Sequence, residues 1–264
     1  VNLPAAFSEP GQGREEDART LENIYKKMRQ TKEIPTTSAP AFGAYFNHYK
    51  RALERADKIL VLAPSSRLSG AYSQARIARS LFKKPAKNNV FVFDCFTFDA
   101  AEGLVAMKAQ ELISQGKNTE EIVEFLKTFC PRVKLFGTID DIQYLIHGGR
   151  LKLPKFLAPA ISLFQKSSFR MVVELKDGKI KLYKVRLGVN LPQILSEEVI
   201  KEAQGKKIKA VIAHSGNQKA AEELKAILEK KLLAEIACLS QVSLAVGAHT
   251  GPGALIAAFY TIDK

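Results

Sequence analysis

The sequence predicts an α/β protein built as a parallel-sheet domain followed by a second α/β domain with a mixed sheet. Short apolar strands alternate with amphipathic helices as far as residue 129, the pattern of a mostly parallel, helix-covered sheet. Beyond residue 133 the rhythm changes to two alternating segments around Asp177-Gly178, a dipeptide that favours a type I′ hairpin turn. A chain of 264 residues, 46% of them hydrophobic, is long enough to bury a core in each half. The first domain, residues 1–131, is Rossmann-like in the broad sense. Residues 132–264 form the second.

The elements follow in order. Apolar positions Leu21, Ile24, Tyr25 and Met28 recur at helical spacing and predict a helix over 14–30 that ends before Pro35. Thr36-Thr37-Ser38 reads as a turn, and Pro40 opens a second helix at a position where its missing N–H is not needed. A strand over 58–63, a helix over 69–82 and a Val-Phe-Val-Phe strand over 89–94 come next. Helices over 98–115 and 119–129 follow, the second opened by Asn118 with Glu121 at the capping-box position. A strand over 134–139 leads to Gly148-Gly149-Arg150 and then to an apolar helix over 153–165. The hairpin strands span 169–175 and 179–185. The remainder predicts a helix from Leu191, a strand over 208–213, a helix over 218–232 and two apolar segments around His249-Thr250-Gly251-Pro252-Gly253. The sheet of this second domain is expected to carry its helices on one face.

Several function classes find no support. Cys95, Cys130 and Cys238 lie far apart with no CxxC spacing, and an odd count argues against a disulfide framework. They read as reduced core thiols. The histidines His48, His147, His214 and His249 form no HxxxH or HExxH pattern, so no metal is expected. No apolar run approaches the roughly 20 residues that span a bilayer. A cytoplasmic location is expected. The net charge of +13 favours acidic partners, but aromatic residues do not interleave with the basic runs, so no specific nucleic acid is expected. A transient contact with an anionic membrane surface fits the same charge.

Three motifs gather hydroxyls or glycines at the ends of predicted strands, where open α/β sheets place ligands: Thr36-Thr37-Ser38, Ser65-Ser66-Arg67-Leu68-Ser69-Gly70 and His249 to Gly253. The first two precede helices, so their hydroxyls and free helix N–H groups suit an anion; each is equally an N-cap. Neither serine motif matches the GxSxG nucleophile elbow, and the GxGxxG dinucleotide turn is missing. Asp140-Asp141 reads as a cap of the segment that follows.

With Pro35 to Pro40, the stretch SSRLSGAY over 65–72, DDIQYLIHGGR over 140–150, Lys184-Val185-Arg186 and HTGPG over 249–253, the chain resembles the DegV family of bacterial lipid-binding proteins. The resemblance implies a two-domain fold that buries one long-chain fatty acid and needs no other cofactor. It implies Thr37 and Ser66 as carboxylate contacts, with Thr36 and Ser65 as neighbours able to exchange roles and His249 beside them. It also implies a carrier, not an enzyme, that presents the acid to a separate fatty acid kinase, with Arg150 and Arg186 positioning the head group or meeting that partner. An enzyme acting on a small carboxylated or phosphorylated metabolite at the same interdomain cleft is the alternative. The sequence departs from the family in two places. A first strand ending in Asp-Ser-Thr is expected to be missing, and Ser167-Ser168-Phe169-Arg170 stands where an apolar, proline-containing segment is usual.

Overall fold

The strand that organises the molecule, Leu255–Thr261, is buried on both faces, as a run of Leu, Ile, Ala, Phe and Tyr without a charge requires. In this computed structural model, which describes residues 2–4, 14–31, 33–152, 169–187 and 190–262, it lies at the centre of a six-stranded sheet. The elements in chain order are β1 Asn2–Pro4, α1 Arg14–Thr31, β2 Thr36–Ser38, α2 Phe42–Leu53, β3 Ile59–Ala63, α3 Ala71–Ser80, β4 Val90–Asp94, α4 Ala100–Ser114 and α5 Thr119–Phe129. There follow β5 Lys134–Ile139, α6 Gln143–His147, β6 Phe169–Lys176, β7 Lys179–Leu187, α7 Leu191–Ala203, β8 Ile208–His214, α8 Gln218–Leu232, β9 Glu235–Gln241, α9 Leu244–Thr250 and β10 Leu255–Thr261. The expected helix over 153–165 and the departure at 167–168 lie outside the described residues.

The large sheet has the order β7-β6-β5-β10-β8-β9. It is mixed: β8 and β9 run parallel, and the other neighbours are antiparallel. Alternation along β10 divides the core. Leu255, Ala257 and Phe259 face α7 and α8, while Ile256, Ala258 and Tyr260 face α1, α4 and α5. Helices therefore cover both faces of this sheet, where the sequence predicted one. The second cover comes from helices that precede residue 131, which a pattern internal to the later half cannot reveal.

The smaller parallel pair, β3 and β4, packs against α2 and α3 through Tyr45, Tyr49, Ala75, Ala78 and Val90. Thr36-Thr37-Ser38, expected as a turn, is strand β2, parallel to β1 with Leu3 opposite Thr37. Local turn chemistry lost to a pairing partner more than thirty residues away. The hairpin forms as its turn residues dictate, with Asp177 at φ 53 and Gly178 at φ 69, both in the left-handed region of a type I′ turn. Its tip is clasped by the 64–70 loop: Ser65 Oγ donates to Gly178 O at 2.7 Å, and Arg67 Nη1 donates to Asp177 O at 2.9 Å.

Candidate functional site

A cavity of about 470 Å³ opens where β2, the 64–70 loop, the start of α4 and helix α9 converge on the inner face of β5, β6 and β7. Its floor is hydrocarbon. Leu135, Ile139, Val173, Ile180 and Ile256 come from the sheet, with Leu68, Phe98 and Leu145 from the surrounding loops and α6. Pockets for small apolar ligands are of this size, with a few polar groups fixing orientation.

One polar cluster is built from three distant segments. Thr37 on β2 places its Oγ1 2.7 Å from His249 Nε2 on α9. Arg150, half-buried, lines the same wall and donates from Nη1 to Gly148 O. Burial, with the Arg150 charge beside it, pushes the His249 imidazole down to about 4. It is neutral at pH 7. Its Nδ1 is buried with no hydrogen-bond partner among the described residues. Burial likewise lowers Arg150 from its ordinary value.

The glycines of the two motifs explain how these side chains come so close. A Cβ on Gly148 would stand 2.2 Å from His249 Nδ1. One on Gly251, at φ 73, would meet the Tyr144 ring at 2.6 Å, and one on Gly253, at φ 93, would meet Asp140 Oδ2 at 2.3 Å. GGR and HTGPG therefore pack backbone against side chain, which only glycine permits.

The residues singled out in the sequence separate into two groups. Thr37, His249 and Arg150 meet at the cavity. The other four are not among its lining residues. Ser66, expected to touch the carboxylate, is exposed, and its N–H donates to Asp94 Oδ1 at 3.2 Å. The reason is the phase of the loop: Leu68 and Ser69 N–H both bond Ser65 O, a tight turn that faces Ser66 outward and brings Ser69 to the cavity. Ser65 is fully buried but its hydroxyl is committed to Gly178 O. Thr36 is exposed, since it alternates with Thr37 along β2. Arg186 is exposed on edge strand β7, 3.6 Å from Glu197.

Sequence reasoning missed Tyr45, Asp99 and Glu102, which also line the cavity. Burial raises Glu102 to about 8, with Asp99 adding to it, and raises Asp99 to about 6 against the backbone N–H groups of Ala100 and Ser243. Their Asp-x-x-Glu spacing imitates a helix cap and so gave no signal of a site. Among the described residues no cluster of His, Cys, Asp or Glu is arranged to hold a metal ion, and no helix is long and apolar enough to cross a membrane.

Comparison with known proteins finds relatives of the same fold. A protein of Thermotoga maritima named fatty acid-binding protein is 27% identical over 245 residues, covering 90% of this chain and 82% of its own. The crystal structure of a DegV lipid binding protein from the same organism superposes with a TM-score of 0.78 at 25% identity, over 96% of this chain and 85% of that one. The fold recurs, at 23% identity and a TM-score of 0.77, in the Streptococcus pneumoniae Fatty Acid Kinase B3 protein loaded with linoleic acid, over 92% of this chain and 84% of that one. The family model described as an uncharacterised protein, DegV family, matches residues 10–261, so the chain belongs to the DegV family.

Proposed function

We propose that this protein binds one long-chain fatty acid as a carrier. The observation that carries the reading is the Thr37–His249 pair set in the wall of an otherwise apolar cavity. In the tautomer where His249 Nε2–H donates to Thr37 Oγ1, the threonine O–H is free to donate to a carboxylate. Ser69 supplies a second hydroxyl and Arg150 a nearby positive charge, while the acyl chain lies over Leu135, Ile139, Val173 and Ile180. Each buried methylene contributes about 0.8 kcal/mol. The names of the Thermotoga relatives support the ligand class.

A carboxylate held by hydroxyl donors, with Arg150 Nη1 engaged by Gly148 O rather than paired to the acid, keeps its nucleophilicity, which suits presentation to a separate fatty acid kinase. Arg186, exposed on edge strand β7, belongs to the surface offered to that partner. In the enzyme alternative His249 would act as a base oriented by an acid. Its Nδ1 has no such partner among the described residues, so the carrier reading is preferred.

The test is mass spectrometry of an organic extract of the purified protein. A stoichiometric fatty acid is expected. An empty protein that also fails to take up added fatty acid overturns the reading. For the kinase step, acyl phosphate is expected only when ATP, the loaded carrier and a fatty acid kinase are combined; its formation by the carrier and ATP alone would make the protein an enzyme.

A further inference from the structure

A second hollow, of about 420 Å³, has Phe93, Phe96, Val133, Leu175 and the tip of the β6–β7 hairpin among its lining residues. It shares one face of the large sheet with the cavity described above. By strand alternation Val133, Leu135, Gly137 and Ile139 stand on that face; the last three line the cavity and Val133 lines the hollow. On β6 the boundary falls between Val173, in the cavity, and Leu175, in the hollow. The 96–99 segment divides at the same level, with Phe98 in the cavity and Phe96 and Thr97 in the hollow.

The polar cluster stands at the opposite end of this row. Leu255 pairs with Thr138 and Gly253 abuts Asp140, so HTGPG lies past the C-terminal end of β5. Helix α6 and Arg150 follow from the same end. A chain laid along β5 from that cluster passes Ile139 and Gly137 and reaches Leu135 after about 14 Å. Its methyl end is then directed at the hollow.

Leu175 stands at the divide. It pairs across the hairpin with Ile180 and, one step past the Phe136–Glu174 pair in the β5–β6 register, falls opposite Leu135. Both neighbours line the cavity, whereas Leu175 lines the hollow. It packs against the core cluster on each side, as Phe98 does, and so forms a shared wall. Its place is held from outside, because Arg67 and Ser65 bond the hairpin tip two and three residues further along.

We propose that Leu175 is the stop that sets the longest acyl chain the cavity accepts, and that the hollow behind it takes the rest of a longer chain once this side chain is cut back. This rests on the fatty-acid reading above and assigns its chain-length limit. Phe93, Val133 and Phe96 give the hollow an apolar lining suited to hydrocarbon. The charged residues beside them, Lys127, Lys134, Lys176 and Asp177, are exposed to solvent. In the wild type a chain that outgrows Leu135 meets the Leu175 wall and must bend back or leave methylenes in water, which is unfavourable.

The experiment is displacement of a fluorescent fatty acid from the purified protein by stearic acid and by docosanoic acid, its longer saturated homologue, read as the ratio of the two affinities. Wild type is expected to favour stearic acid by about tenfold or more. Leu175→Ala should reverse that preference, since each further methylene that finds apolar surface contributes about fourfold. Leu175→Met, which keeps the volume, should keep the wild-type ratio. Both acids are read on one protein, so a general loss of stability cancels; should Leu175→Ala not fold, Leu175→Val should move the ratio the same way by less. Equal affinities in wild type, or a wild-type ratio in Leu175→Ala or its Val substitute, overturn the inference and leave the fatty-acid reading standing. Failure of both acids to bind overturns both.

Discussion

Thr37 Oγ1 and His249 Nε2 lie 2.7 Å apart across 212 residues of chain, joining the short β1–β2 pair to the helix that precedes the central strand. Thr37→Val keeps the shape and removes the hydroxyl. Fatty-acid affinity is expected to fall about tenfold, measured by titration calorimetry, whereas Ser66→Ala, on the outer side of its turn, should change it less than about twofold.

Gly148→Ala tests whether the glycine of GGR exists to admit the imidazole. The new methyl would stand 2.2 Å from His249 Nδ1 and 3.0 Å from Tyr144 O, so the ring must move. A loss of about 1–3 kcal/mol in urea unfolding is expected, the usual result of overpacking, together with weaker fatty-acid binding. The same change at Gly149, which has open space around a Cβ but φ 71, should show only the backbone penalty.

Ser65→Ala removes the donor that satisfies Gly178 O at the hairpin tip. An unpaired buried carbonyl costs about 1–3 kcal/mol. Thermal unfolding should show that loss, and amide exchange at residues 177–179 should quicken before the rest of the sheet opens.

Glu102 makes stability depend on pH in a predictable direction. Its folded value near 8 lies above the ordinary 4.5, so the folded state holds a proton that the unfolded chain has released. Its contribution is present below about pH 4.5 and is lost as pH rises through about 8. Asp99 and Tyr45 face it in the cavity and Cys95 lies within its field. Glu102→Gln should be the more stable protein at pH 8 by on the order of 2 kcal/mol and gain little at pH 5, as read from urea unfolding at the two values.

The parts of this fold written in local chemistry were legible from residues alone. Asn118 with Glu121, and Asp177 with Gly178, specify a helix start and a turn without help from elsewhere, and both form as their residues require. What depended on distant partners was not legible. Thr36-Thr37-Ser38 has the composition of a turn and becomes a strand only because residues 2–4 lie alongside. That Ser69 lines the cavity and Ser66 does not follows from the phase of one turn, which Ser65 O sets by accepting two N–H groups. Asp99 and Glu102 were concealed by a spacing that normally means a cap.

The position of β10 has a consequence for how the molecule assembles. β5, β6 and β7 form a meander of near neighbours, but β8 reaches that meander only through β10, which pairs with Thr138 across 117 residues of sequence. Closing so large a loop is entropically slow. Until it happens, the two halves of the sheet have no common edge, and Ile256 is not yet there to complete the cavity floor. A cavity floor that excludes water therefore exists only after the β5–β10 pairing has been made.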